Sequence, residues 1–388
     1  MRFGPAAFAC AALFCLLPAA AAGGALALPL TLCLAGVASF RPDLFRQALE
    51  TRPLALMLLL AFTAWAALST LWSPWPKHDQ AFKILALVPL GLMFAASAGN
   101  APNQRLTRAA GLAAFLVLAA LLTIEAVWHM PINRAARPDA ELGDLGRNLM
   151  RGSVVLLAMV WAVAASQLQE GAGWRGIVAF LVILTGAALM VPFEQAAAAL
   201  GFALGFAAFA LAFMAPRLAI LGVSGGLSAW MLAAPFVTPL VIANQGLIDK
   251  LPLSWAARAG IWDYVCTRIL EQPTIGHGLE ASRAVSDRIS VRELDMRGVP
   301  VHPHSASLQI WFETGAVGAL LAAASLLVGG FALARALQHD RPAAAATAGT
   351  IAALGLVANL SFGIWAEWWV ATLFIAAALV AATRRLPA

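Results

Sequence analysis

Apolar residues run almost unbroken through most of this chain, in stretches of about 17–24 residues separated by short polar clusters. A helix of that length crosses a hydrocarbon core of about 30 Å, whereas barrel strands alternate over about ten residues. Backbone groups in lipid must bond within their own segment, so each run is predicted to be a helix. Twelve spans follow, over residues 5–21, 24–40, 53–72, 81–98, 106–128, 152–168, 174–192, 194–214, 217–240, 305–337, 343–363 and 365–383. The tenth is longer than a crossing requires and is expected to tilt or extend beyond the bilayer. The predicted fold class is an all-α polytopic membrane protein.

Two polar segments are not short. One lies near 129–151, the other over 241–304, long enough for small helices of its own. The chain therefore divides into residues 1–240 with spans one to nine, the 241–304 loop, and residues 305–388 with spans ten to twelve.

Composition agrees with this pattern. Hydrophobic residues are 62% of the chain and charged residues 11%, far below the quarter found in soluble domains. The net charge of +6 could suggest a nucleic-acid partner, but its distribution excludes one. With the N-terminus inside, the short inner loops and ends hold twelve arginines: Arg2, Arg41, Arg46, Arg52, Arg105, Arg108, Arg175, Arg217, Arg335, Arg341, Arg384 and Arg385. Only Asp43, Glu50, Glu170 and Asp340 oppose them. This is a positive-inside signal, which places both termini in the cytoplasm and the two long loops outside. A rival reading makes Arg2, the following apolar run and Ala19–Gly23 a signal peptide. The remaining eleven spans would then put their basic loops outside. Cys10, Cys15, Cys33 and Cys266 have neither disulfide nor metal spacing and are expected to pack as small apolar residues.

Polar chemistry gathers at the outer border. Trp72-Ser73-Pro74-Trp75-Pro76 and the trio Trp365, Trp368 and Trp369 suit an aromatic belt or a sugar-stacking surface. Two of the six histidines, His302 and His304, stand where the long loop meets the tenth span. Pro303 suits a helix start, and Ser305 or Ser307 could cap it. A helix N-terminus disfavours imidazolium, leaving His304 neutral as a general base requires, and it attracts phosphate. His304, Leu308, Trp311, Gly315 and Gly318 share one helical face, with the glycines admitting a neighbouring helix. Glu313 faces away, pairs with Gln309, and is expected to be a buried structural partner. In the loop, Arg258 and Trp262 are four apart and would share a helix face, with guanidinium suited to phosphate. Arg147 and Arg151 flank a span on the side that should lack them, as headgroup contacts or snorkelling anchors.

These residues resemble the O-antigen ligase family. His304-Ser305, nine residues, Gly315, two residues and Gly318 resemble its H-[NSQ]-x9-G-x-x-G pattern. Arg258-x-x-x-Trp262 with Pro273-x-x-Gly276-His277-Gly278-Leu279, and Leu68–Pro74 at the third-span exit, are similar to its other segments. The resemblance implies a GT-C-like membrane glycosyltransferase of the bacterial inner membrane with a periplasmic active site. It implies metal-independent, inverting transfer from an undecaprenyl-diphosphate-linked glycan, with no cofactor. The acceptor would be lipid A–core in a ligase, or another lipid-linked repeat in a polymerase. His304 would be the catalytic histidine and Arg258 the diphosphate-binding arginine, with Trp262, His302 and Trp72 as further contacts.

One position departs from the family. Its ligases carry an arginine at the outer end of the eighth span, where this chain has Gln195, which can hydrogen-bond a phosphate but brings no charge. Arg147 or Arg151 would have to replace it. A lipid-linked glycan transporter is the alternative of another class. It would require ionisable residues in mid-membrane and paired broken helices, neither of which the sequence displays. Metal binding by His302 and His304 lacks a third ligand.

Overall fold

The structure, a computed structural model, describes residues 5–100, 103–171, 173–193 and 195–385. Arg2, from the charge and signal-peptide readings, and Glu194, beside Gln195, lie outside the described residues. In chain order the helices are α1 (Pro5–Ala22), α2 (Leu28–Ala38), α3 (Pro42–Thr51), α4 (Leu54–Leu68), α5 (Asp79–Ala98), α6 (Asn103–Val127), α7 (Pro131–Ala136) and α8 (Leu142–Gln169). They continue as α9 (Trp174–Ala188), α10 (Ala196–Met214), α11 (Pro216–Ile242), α12 (Gln245–Ile248), α13 (Leu253–Ile269), α14 (Ala306–Leu337), α15 (Arg341–Leu360) and α16 (Glu367–Thr383). Strands β1 (Arg288–Val291) and β2 (Leu294–Arg297) form one antiparallel hairpin, pairing Ile289 with Met296 and Val291 with Leu294.

The all-α class holds, and each predicted apolar stretch is helical. Length is a stricter test. Among the described residues eight helices are individually long and apolar enough to cross a bilayer, or nine if α2 and α3, bent by 89°, count as one broken span. α1, α9 and α16 are apolar but shorter, so twelve crossings are not established. α3 was not anticipated. It is amphipathic, and none of its residues is buried.

The core is organised around α8, whose residues from Gly152 to Gln167 are buried on every face. Small residues make this possible. Trp161 of α8 fills space that Gly205 of α10 and Gly349 of α15 leave open, and it packs against Phe202 and Phe209. The small residues of α15 thus let α8 and α10 each pack closely against it. α1 belongs to this core through Cys10, Leu13, Phe14 and Leu17. All four cysteines are free, but only Cys10 and Cys266 are buried, and Cys15 is exposed.

A second, smaller core lies under residues 253–304, where Ile261, Val265 and Ile269 of α13 meet Leu308, Ile310 and Phe312 of α14. The hairpin closes over α13, with Val291 seated against Gly260. This second core positions the residues of interest.

Candidate functional site

α13 presents Trp255, Arg258 and Trp262 on one face, as their spacing predicts. Trp262 Nε1 donates to the Pro303 carbonyl at 2.9 Å, pinning the histidine segment to the helix. Arg258 is half-buried with its guanidinium carbon 4.9 Å from the Trp255 ring centre. No carboxylate pairs with it among the described residues. An arginine stripped of part of its water and given no counter-ion is prepared to receive an anion.

His304 sits just before the N-cap of α14 in a left-handed conformation, φ 57°. That geometry costs about 1–2 kcal/mol in a non-glycine residue, so the surroundings must hold it. Its backbone N–H donates to His302 Nδ1 at 3.2 Å, and its ring Nδ1 lies 2.6 Å from the Ser361 carbonyl. A carbonyl can only accept, so Nδ1 carries the proton and Nε2 keeps its lone pair. Burial, with Arg258 nearby, holds the imidazole below its ordinary pKa despite the Ser361 bond. Desolvation, rather than the helix end expected from the sequence, is the main cause of its neutrality. The His302 ring packs against that of His304, tilted by 59° with ring centres 4.3 Å apart, and lies against Gly363. Burial first, then His304, Arg283 and Arg258, push it down to about 3.

Ser305 is the cap, its Oγ accepting from Leu308 N at 3.4 Å, while Ser307 N donates to Asn359 Oδ1. Pro303 lies outside the helix rather than at its first turn. The expected continuous face from His304 to Gly318 is also corrected. α14 breaks at Gly315 (φ 64°, ψ −167°), and the neighbour admitted there is a loop, not a helix. Pro273–Gly278 inserts its backbone into the break. His277 N and Gly278 N donate to the carbonyls of Phe312 and Glu313, each at 2.8 Å. Ala316 N and Val317 N donate to Pro273 and Thr274 at 2.8 and 3.2 Å. Gly276 is needed because a Cβ there would stand 2.5 Å from Gly315 N. A transporter would use such a break to line a cavity; here the freed groups are consumed by the loop.

Glu313 fulfils its expectation as a buried structural partner. Fully buried, it accepts from Ser282 Oγ (2.5 Å), Trp365 Nε1 (2.6 Å), Glu280 N (2.9 Å) and Gln309 Nε2 (3.1 Å). Gln309 Oε1 in turn accepts from Ile364 N at 2.9 Å. One carboxylate thus ties together the 280–283 turn, α14 and the 361–366 turn that supplies the acceptor for His304.

The other sequence-named residues scatter around this centre. Trp72 Nε1 donates to Gly276 O at 3.1 Å and Ser73 Oγ to Leu279 O at 2.6 Å, so the third-span exit braces the inserted loop. Trp365, Trp368 and Trp369 are buried, which rules out both a belt and an exposed stacking surface for them. Arg147 and Arg151 lie on α8, which starts ten residues before the predicted span. Arg147 is exposed and paired with Asp144, whereas Arg151 stacks on Trp368 at 5.8 Å. Gln195 is the buried N-cap residue of α10, bonded to Ser153 Oγ at 3.3 Å with its Oε1 unpartnered. Sequence reasoning missed Arg283, which no pattern separates from the loop's other basic residues, and Ser361, whose contribution is a backbone carbonyl.

Beneath Trp262 and Ser305 opens an apolar cavity of about 280 Å³, lined by Leu204, Leu227, Trp230 and Leu308. It shares Leu227, Gly355 and Asn359 with a second cavity of about 440 Å³ between α11, α14, α15 and α16. Together they make a long apolar interior of the kind that takes a hydrocarbon chain.

No family model matches the chain, and no solved structure matches it. Curated proteins do. It is 25% identical to a protein of Rickettsia conorii named "Putative polysaccharide ligase", over 81% of this chain and 76% of that one. The Rickettsia prowazekii protein of that name is 24% identical over 80% and 76%. The one from Rickettsia bellii is 28% identical over 58% and 55%. The chain is thus similar, over most of its length, to proteins named for polysaccharide ligation.

Proposed function

We propose that the chain is a metal-independent, inverting membrane glycosyltransferase. It moves a glycan from undecaprenyl diphosphate to an acceptor hydroxyl, in the first instance on lipid A–core. The observation that carries this reading is a neutral His304, its Nε2 lone pair unused, close to an Arg258 that has no carboxylate partner, in segments whose Trp262 and Ser305 line an apolar cavity. The cavity would take the polyprenyl chain and Arg258 the diphosphate. The acceptor O–H points at His304 Nε2; its oxygen attacks the sugar C1 from the face opposite the phosphate. The C1–O bond breaks, the proton passes to Nε2, and Arg258 stabilises the charge gathering on the leaving diphosphate. His302 holds the His304 backbone, and Trp262 both pins that segment and lines the cavity that would take the polyprenyl chain. Trp72 bounds the site through the inserted loop. Arg151 and Arg147 are assigned to acceptor or headgroup contacts, and Gln195 to a hydrogen bond without charge. The basic inner loops orient the site to the periplasmic face of a bacterial inner membrane, both termini in the cytoplasm.

The test is glycan transfer in membranes carrying His304→Ala or Arg258→Ala, with expression and folding verified. Loss of transfer in both is expected; normal transfer in both refutes the roles. In a deletion strain, lipopolysaccharide without long chains and with lipid-linked polymer accumulating identifies a ligase. A single-repeat cap identifies a polymerase with the same donor.

A further inference from the structure

Gln195 leaves a charge missing. Its amide is buried against Ser153 and holds no cation. Neither arginine offered as a substitute is well placed. Arg147 is paired with Asp144, and Arg151 stacks on Trp368. Arg258 lies near enough to act on both imidazoles, and Arg283 on that of His302.

Arg283 is placed by the buried carboxylate of Glu313. Ser282, its neighbour, donates to one oxygen of Glu313, and Glu280 N to the other. Through Gln309 the same carboxylate reaches Ile364 N, and the His302 ring lies against the adjacent Gly363. The turn bearing Arg283 and the turn supporting the histidines are therefore stapled to one group.

We propose that Arg283 is the second diphosphate-binding cation of this site, taking the place left by Gln195, so that Arg258 and Arg283 bracket the two phosphates. This rests on the glycosyl-transfer reading above. Arg283 has one partner, Glu280, at 2.5 Å, and remains partly exposed. Burial and the neighbouring Glu313 push the Glu280 carboxyl up to about 7, so near neutral pH it only partly neutralises Arg283. An arriving phosphate can displace it. Two separated guanidiniums also distinguish ligands, because a diphosphate engages both and a monophosphate only one.

The experiment measures binding of undecaprenyl diphosphate and undecaprenyl monophosphate to the purified full-length protein in nanodiscs. The wild type should prefer the diphosphate. Arg283→Gln should weaken diphosphate binding about ten- to a hundredfold, the size of one charge-assisted hydrogen bond, and leave monophosphate binding nearly unchanged. A loss of fold would weaken both alike. Should Arg283→Gln misfold, Arg283→Met, which keeps an unbranched side chain without the charge, decides by the same readout. Glu280→Gln, which releases Arg283, should keep or sharpen the preference. Wild-type preference in a folded Arg283→Gln or Arg283→Met overturns the assignment. Absence of diphosphate binding by the wild type would instead sink the transferase reading itself.

Discussion

Gly315→Ala tests the physical centre of this site. Gly315 adopts φ 64° and ψ −167°, a region that side-chain-bearing residues enter at about 1–3 kcal/mol. Its added Cβ would also overlap the Thr274 carbonyl, with Gly276 N close beside it. The inserted loop must then withdraw, and with it go some or all of the four backbone bonds that fill the break. At about 0.5–1.5 kcal/mol each, losing all four brings the total to about 3–9 kcal/mol, a large share of an ordinary stability of about 5–15 kcal/mol. Gly226→Ala is the control, since that helical glycine has open space around it and should gain slightly. Both variants can be followed by thermal denaturation in detergent and by trypsin cleavage at Arg268 and Arg283. We expect Gly315→Ala to melt well below wild type and to be cut readily in the loop. If it melts with wild type and its loop stays protected, the helix break is not what holds the site.

Two further outcomes follow from the histidine segment. Trp262→Phe removes the bond to the Pro303 carbonyl while keeping an aromatic ring, and should cost about 1 kcal/mol. Transfer rate should fall more than donor binding, because His304 loses its position; an unchanged rate would contradict this. Acidification is the other. His302 and His304 titrate below the ordinary imidazole value of 6.5 when folded, His302 at about 3, so the unfolded chain binds more protons in that window. Stability should be fully present above pH 6.5 and decline as pH falls from there toward 3. His302→Gln should flatten that decline in denaturation scans between pH 7 and 5; an unaltered slope would count against a buried neutral imidazole.

Burying Glu313 is expensive unless every lone pair is used. Four donors from three chain segments meet that requirement, so the carboxylate acts as a junction. The same logic explains where irregular backbone is allowed. Residues Ala306–Gly315 are all buried, and the broken ladder at their end is completed by protein rather than exposed to lipid.

The amino-acid sequence alone determined that this chain is an all-α membrane protein, because uninterrupted apolar runs leave no other way to satisfy backbone groups in lipid. It also singled out His304, Arg258 and Trp262, since a charged or titratable side chain beside such runs is conspicuous, and it read Glu313 as a buried partner from its spacing to Gln309. Only the tertiary structure decided which neighbours those side chains meet. The bend between α2 and α3, the break at Gly315 and the burial of Trp365, Trp368 and Trp369 all depend on contacts between distant segments. So do the Ser361 carbonyl that fixes the His304 tautomer and the carboxylate that carries Arg283 to the site. Periodicity records which face of a helix is apolar; it carries no record of a backbone hydrogen bond made to a loop forty residues away.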